Sequence, residues 1–144
     1  MLEHWKVQYA TLAPVTDSTT RRSINVEGYA HMNPIPAASR IGNMLMSGVI
    51  TGRDASGNMP GSIEEQCKNM FATAIRIVEA AGGTSANVLK MTVWLSNPAN
   101  REALNEQWVK YFPDPAARPA RHTLPLGDGG ATLVQCDVTA VFDH

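Results

Sequence analysis

Polar residues stand in two predicted strands near the end of the sequence, where their side chains could bind a small anion and a water molecule. Arg121 begins a predicted strand over residues 121–126, and its planar guanidinium can hold a carboxylate through two parallel hydrogen bonds. Gln135 and Asp137 lie two positions apart in a predicted strand over residues 131–142, so their side chains share one face. The Gln135 amide can orient water but cannot accept a proton at neutral pH. Asp137 could act as a base, although a structural pairing with an arginine such as Arg121 is the favoured interpretation.

Other residue types that often carry chemistry are poorly placed for it. His122 follows Arg121 directly, and because neighbouring strand residues point to opposite faces, its expected role is packing. The four histidines, at positions 4, 31, 122 and 144, form no ligand cluster with the two cysteines. Cys67 and Cys136 fall on apolar faces, where a free cysteine behaves as a small hydrophobe. We therefore expect no metal site.

Size and composition predict a single soluble domain. The chain has 144 residues, of which 44% are hydrophobic and 17% charged. The net charge is -1 without a run of like charges, so a nucleic-acid partner is not expected. The first residues lack the basic start and apolar run of a signal peptide, and the apolar stretches are too short to cross a bilayer. We expect a cytoplasmic protein without a membrane partner.

Two amphipathic helices are predicted. The first begins at Ser62, because Ser62 and Glu65 have the spacing at which each side chain can bond the other's free backbone amide. It ends at Gly82-Gly83. The second begins at Asn97-Pro98 and ends before Pro113. Its buried stripe comprises Leu104, Trp108, Tyr111 and Phe112.

The remaining patterned segments predict strands. A hairpin is expected around Gly42-Asn43, with its second strand continuing to about Ile50. Another strand is expected at Val88–Leu95, with Leu89, Met91, Val93 and Leu95 on one face. The order β-β-α-β-α-β-β predicts an α+β fold in which one mixed sheet carries two helices on a single face. The other face is either a subunit interface with a small wet site or an ordinary solvated sheet.

Several segments resemble the RidA family, also called the YjgF/UK114 family of reactive-intermediate deaminases. The resemblance covers about residues 33 to 142, and the order and spacing of its pieces are specific, although no single piece is decisive. The segments that carry it are Ile41-Gly42-Asn43-Met44, Ser47-Gly48, Gln66, Val78-Glu79-Ala80-Ala81-Gly82, Lys90-Met91-Thr92-Val93-Trp94-Leu95, Leu104-Asn105-Glu106, Tyr111-Phe112 and Arg118-Pro119-Ala120-Arg121.

The resemblance implies a fold, an assembly and an activity. The fold is a chorismate-mutase-like α+β subunit that forms a homotrimer with a ligand cleft between neighbouring subunits. Residues 34–144 would form this domain, and residues 1–33 would be an N-terminal extension. Members of the family hydrolyse imines and enamines of amino acids to 2-keto acids and ammonia without a cofactor. The partner implied is therefore a small carboxylate substrate or ligand.

The resemblance also assigns roles to individual residues. Arg121 matches the family's carboxylate-binding arginine, and Asn105 matches an asparagine of the cleft, although an asparagine contacting a neighbouring loop is a competing interpretation. Ser47 and Gly48 match a Ser-Gly pair at a strand end, where the missing side chain lets a ligand approach the backbone. A simple bulge is the alternative for that pair.

Three positions depart from the family pattern. Ile35 stands where the deaminases have a tyrosine, and Thr123 stands where they often have a cysteine. Gln135 stands where they have a glutamate that positions or activates the water. The resemblance therefore implies Arg121 and Gln135 as catalytic residues, with Ile35 and Thr123 also lining the substrate site.

Three functions compete at this point. The first is hydrolytic deamination of 2-imino or 2-enamine acids, with a substrate range shifted by the apolar Ile35. The second is a non-catalytic trimeric protein that binds a small carboxylate for regulation, which Gln135 favours. The third, ribonuclease activity as reported for some relatives, finds no support in the charge balance or in a pair of histidines.

Overall fold

The computed structural model describes residues 19–128 and 130–144. The alternation of Trp5, Val7 and Tyr9 with other residues predicts modest strand character in the N-terminal extension, and these three residues lie outside the described ranges. No helix in the described ranges has the length and apolar character needed to cross a membrane.

Two helices and seven strands make up the described fold. The helices are α1 (Ile63–Ala80) and α2 (Arg101–Tyr111). The predicted α+β class is confirmed, and two short strands are added to the predicted order. The strands are β1 (Arg22–Ile24), β2 (Ala38–Ile41), β3 (Met44–Ser47), β4 (Ile50–Thr51), β5 (Val88–Leu95), β6 (Ala120–Pro125) and β7 (Val134–Val141).

A side chain bonds a free backbone amide at the start of α1 and at the start of the 3₁₀ turn that precedes α2. Ser62 Oγ accepts from the backbone N of Glu65 across 3.2 Å, which caps α1 as predicted. Asn97 Oδ1 accepts from the backbone N of Ala99 and opens a short 3₁₀ turn, Pro98–Asn100, which leads into α2. At the other end of α1, Gly82 adopts a φ of 98° and turns the chain away.

All seven strands belong to one mixed sheet, in the order β1-β2-β3-β7-β5-β6, with β4 also paired to β7. Every described pairing is antiparallel except that of β5 with β6. Gly42, with a φ of 57°, makes the tight turn of the predicted β2–β3 hairpin. β1 adds residues 22–24, from within the predicted extension, to the edge of this sheet.

The second hairpin strand is interrupted where the sequence predicts continuity to about Ile50. β3 ends at Ser47, and β4 begins after Gly48 and Val49. β3 pairs with the end of β7, and β4 pairs with its first half. Two short strands therefore share one edge of β7.

The predicted face assignment of β5 is wrong at its start. The register with β7 shifts between Val88 and Lys90, so the strand contains a bulge. Leu89 is consequently 59% exposed, while Val88 is buried together with Met91. Because the bulge adds one residue, the side chains before it face the opposite side of the sheet from the side that regular alternation predicts.

Both helices lie on the same face of the sheet, as the sequence predicts. α1 packs on β4 and β7 and against α2. The core lies between this layer and the alternate residues of the strands, such as Leu45, Val93 and Cys136, which are fully buried. The opposite sheet face carries Ile41, Met44 and Met46, which are 50%, 49% and 59% exposed in the single chain. This uncovered face is therefore partly apolar.

Candidate functional site

Arg121 lies under the second helix, at the start of the edge strand. In the parallel β5–β6 pairing it stands beside Met91, whose side chain is buried under the helices, so Arg121 faces the same side. Its Nη2 donates to Oδ1 of Asn105 across 2.8 Å. Its guanidinium carbon lies 4.9 Å from the ring centroid of Trp108. β6 and α2 therefore bring together Arg121 and Asn105, as the sequence predicts.

The guanidinium of Arg121 has no acidic partner among the residues that the structure describes. The side chain is half-buried, and burial is the main cause that lowers its pKa, with the neighbouring charge of Arg101 second. An arginine remains charged at neutral pH in spite of such a shift. Within residues 19–128 and 130–144, the only ion pair is that of His144 with Asp143. The charge of Arg121 is thus available to an anion.

Gln135 occupies the opposite face of the sheet. Its register partners are Trp94 on β5 and Thr51 on β4, and it alternates with the buried residues Val134 and Cys136. Arg121 faces the helices, whereas Gln135 faces away from them. The two predicted catalytic residues of one chain therefore do not meet.

Asp137 shares the face of Gln135, as predicted from the two-residue period. Its register partner is Thr92, to which it is hydrogen-bonded. Burial raises the pKa of Asp137, while the hydrogen bond and the charge of Lys90 act in the opposite direction. Because Asp137 and Arg121 face opposite sides, the pairing of these two residues considered from the sequence is not formed.

Ser47 and Gly48 form hydrogen bonds to neighbouring segments at the point where β3 ends. The Ser47 hydroxyl accepts from the backbone N of Val138 across 2.9 Å and donates to the backbone O of Gly48 across 2.8 Å. The Gly48 amide donates to Ala37 O across 2.9 Å. A Cβ on Gly48 would make only an ordinary 3.7 Å contact with that oxygen. These bonds give both residues structural partners, and the ligand-lining role and the simple bulge both stay predictions.

Thr123 and Ile35 are the two remaining predicted site residues. Thr123 lies two positions after Arg121 on β6, pairs with Val93 and is half-buried, so it faces the helix side with Arg121. Ile35 is 49% exposed, in a turn where its amide donates to Asn33 O. Thr123 thus belongs to the Arg121 group, and Ile35 stands in an exposed loop before β2.

His122 and the cysteines lie where the sequence predicts. His122 is exposed and pairs with Thr92, so it points away from the side of Arg121. Cys67 and Cys136 are free and buried. Burial raises the pKa of Cys67 to about 12 and raises that of Cys136 further, so both thiols are neutral at pH 7. Neither is an activated nucleophile.

An open cavity of about 530 Å³ lies on the far side of β4, near the face of Gln135. Tyr29 closes one side, with its hydroxyl donating to Val49 O across 2.7 Å and accepting from the Thr51 amide across 3.3 Å. Arg53 and His31 also line this cavity. No local pattern in the sequence predicts this cavity, because its walls come from two separate segments, residues 28–32 and 49–57.

Trp108 is a site residue that sequence reasoning placed only in the core. It lies three residues after Asn105 on α2, so the two side chains project from one side of the helix. That spacing is the signal that could have found it. No group of three or more potential metal ligands occurs among the residues that the structure describes.

The known proteins that match this chain are related to one another. The family model described as endoribonuclease L-PSP matches residues 29–128. The chain is 30% identical over 122 residues to the chloroplastic Reactive Intermediate Deaminase A of Arabidopsis thaliana, covering 80% of this chain and 62% of that protein. It is 30% identical over 83 residues to a RutC family protein of Aquifex aeolicus, covering 58% of this chain and 66% of the relative. The chain thus spans less than two thirds of the length of these relatives.

Solved structures match the fold more completely. The YjgF gene product of E. coli superposes with a TM-score of 0.76 at 22% identity, covering 83% of this chain and 98% of that one. E. coli TdcF with bound serine gives a TM-score of 0.78 at 19% identity, covering 85% and 99%. At these identities the likeness shows the fold alone, in which two helices pack on a mixed sheet.

Proposed function

Because the chain belongs to the YjgF/RidA family, we propose that it hydrolyses 2-imino or 2-enamine acids to 2-keto acids and ammonia. The observation that supports this most is Arg121, a half-buried cation without an acidic partner in the described structure, held by the neutral amide of Asn105. Such a cation suits the carboxylate that every 2-imino acid carries. The serine in the related TdcF structure also carries a carboxylate.

The main task of the protein in this reaction is to position the substrate and the water. The water oxygen attacks the imine carbon, a C–O bond forms, and the electron pair of the C=N bond moves to the nitrogen. Two protons pass in turn from the added oxygen to that nitrogen, the C–N bond breaks with its electron pair leaving on nitrogen, the C=O bond forms, and a keto acid and ammonia leave. Arg121 holds the carboxylate, and Gln135 accepts a hydrogen bond from the water without taking its proton. Both protons therefore move to the substrate nitrogen.

A complete site in this proposal needs two copies of the chain. Arg121, Asn105 and Thr123 lie on the helix side of the sheet, and Gln135 lies on the other side. A neighbouring subunit would supply Gln135 to the Arg121 group in a cleft. The exposed Met44 and Met46 on the uncovered sheet face support burial of that face in the assembly. We propose a homotrimer, as the family resemblance implies, acting in the cytoplasm.

The second candidate function is binding of a small carboxylate without catalysis. Gln135 favours it, since an amide cannot act as the general base that a glutamate provides. Arg121 and Asn105 would have the same role in both proposals. A direct assay of Gln135 variants separates them.

The deciding experiment generates 2-iminobutyrate in situ with a threonine dehydratase and follows 2-keto acid formation with and without this protein. We expect the wild type to exceed the uncatalysed rate, Gln135→Glu to raise it, and Arg121→Ala to abolish it. Lys68→Ala, which removes an exposed cation from α1, is the control for net charge and should match the wild type.

Two outcomes would change the conclusion. An inactive wild type with an active Gln135→Glu variant would favour the carboxylate-binding protein, on the same fold and anion site. Inactivity of both, with acid binding that still depends on Arg121, would exclude the deaminase proposal.

A further inference from the structure

Trp108 forms a rigid platform beneath Arg121. Its side chain is only 9% exposed, and its ring is held edge-on by Phe112 at 4.8 Å and by Phe71 at 6.5 Å between centroids. The guanidinium carbon of Arg121 lies 4.9 Å from the centroid of this ring. That distance is within the range of a cation–π interaction.

The hydrogen bonds of Arg121 leave one edge of the guanidinium for a ligand. Nη2 donates to Asn105, and Nη1 is buried without a partner in the described part of the chain. Nε makes no hydrogen bond to the described residues. Unlike Nη1, Nε is accessible to solvent. In arginine, Nε and Nη2 share one edge of the guanidinium plane, and each retains a hydrogen for a ligand. If Asn105 accepts the Nη2 hydrogen that points away from Nε, a carboxylate can bind side-on, through Nε and the other Nη2 hydrogen.

We propose that Trp108 is a positioning residue that orients the Nε–Nη2 edge of Arg121 toward the substrate carboxylate. This inference rests on the proposed function of Arg121. An indole attracts a guanidinium through its ring quadrupole and carries no net charge. Asn105 is likewise neutral. Together they fix the cation in place without cancelling the charge that must attract the anion, which a glutamate or aspartate in either position would do.

A purely structural role for Trp108 makes different predictions. As a core residue, Trp108 would stabilise the contact between α1 and α2, and its replacement would lower stability without a specific effect on anion affinity. Ile77 supplies a matched control, because it is fully buried in the same core on α1 and has no described contact with Trp108 or Arg121. The two roles separate in binding measurements on folded variants.

The experiment measures 2-ketobutyrate affinity by isothermal titration, with thermal unfolding recorded for each variant. We expect Trp108→Leu to weaken binding by about 3- to 10-fold and Trp108→Phe to weaken it less, because phenylalanine keeps a weaker π face. Ile77→Val should lower the unfolding temperature and leave the affinity within twofold. In the deaminase assay, KM should rise in Trp108→Leu while kcat changes little.

A second measurement covers the case in which Trp108→Leu does not fold. Fluorinated tryptophans placed only at position 108 withdraw electrons from the ring with little change in its shape, so affinity should fall stepwise with the number of fluorines. Affinity that is independent of fluorination, or equal in Trp108→Phe and the wild type, would overturn the positioning role. Arg121→Ala separates the two failures: if it too leaves 2-ketobutyrate binding unchanged, the proposed anion site itself is wrong.

Discussion

Asn105 accepts a hydrogen bond from Nη2 of Arg121 through its amide oxygen, across 2.8 Å. This contact links the middle of α2 to the start of β6 and uses no charged acceptor. An amide in this place holds the guanidinium and leaves its positive charge uncompensated. The choice between an amide and a carboxylate at position 105 should therefore decide how well the chain binds anions.

Replacement of Asn105 separates the geometry of this contact from its charge. Asn105→Ala removes the acceptor and should weaken 2-ketobutyrate binding by about 3- to 10-fold, the net worth of about one ordinary hydrogen bond. Asn105→Asp keeps an acceptor but pairs the guanidinium with a carboxylate, so binding should be weaker than in Asn105→Ala. Isothermal titration of both variants measures this order, and an aspartate variant that binds as well as the wild type would contradict it.

The oligomeric state tests whether the uncovered sheet face is a subunit interface. Light scattering should give about three times the chain mass, as expected for a closed homotrimer. Met46→Lys places a charge on that face and should shift the mass toward that of one chain. Val109→Lys is the control, because Val109 is a similarly exposed apolar residue but lies on α2. A monomeric wild type at micromolar concentration would remove both the trimer and the site between subunits.

Asp137 should make stability depend on pH. Burial raises its pKa in the folded state, so the folded chain binds this proton more tightly than the unfolded chain. Its contribution to stability is fully present below the unfolded pKa of about 3.9 and is lost as the pH rises through the folded value. Asp137→Asn should therefore be more stable than the wild type at pH 7, and the difference should vanish near pH 3.5. Urea unfolding at several pH values measures it; a constant difference would refute this assignment.

Gly52 and Gly61 should respond oppositely to the same substitution. A Cβ on Gly52 would lie 2.4 Å from the backbone O of Gln66 in α1, whereas nothing lies within 4 Å of a Cβ on Gly61. Gly52→Ala should lower the free energy of unfolding by about 1–3 kcal/mol, as for other overpacked sites. Gly61→Ala should change it by less than about 0.5 kcal/mol. Urea unfolding of the two variants tests this, and equal stabilities would contradict the close approach of β4 to α1.

The elements that the sequence predicts well are those set by local chemistry. The start of α1 follows from Ser62 and Glu65, three residues apart, and its end follows from Gly82. The β2–β3 hairpin follows from Gly42, which adopts the positive φ that its turn needs. Each of these signals lies within a few residues of the structure that it determines.

The features that the sequence could not supply depend on contacts between distant segments. The bulge near Leu89 is visible only in the register of β5 against β7, about fifty residues later. The two-residue period places Gln135 and Asp137 on one face correctly, but it cannot relate that face to the face of Arg121 on another strand. The separation of Arg121 from Gln135 follows from strand pairing, which no local pattern encodes.

The position of β7 determines when the chain can finish folding during its synthesis. β7 is the last described strand in sequence order, yet it lies in the middle of the sheet and pairs with β3, β4 and β5. Until residue 141 has left the ribosome, β1–β3 and β5–β6 are two separate part-sheets with open edges. Open edges and non-local pairings slow folding and expose the chain to aggregation. The sheet therefore cannot close before β7 is available to pair between the two part-sheets.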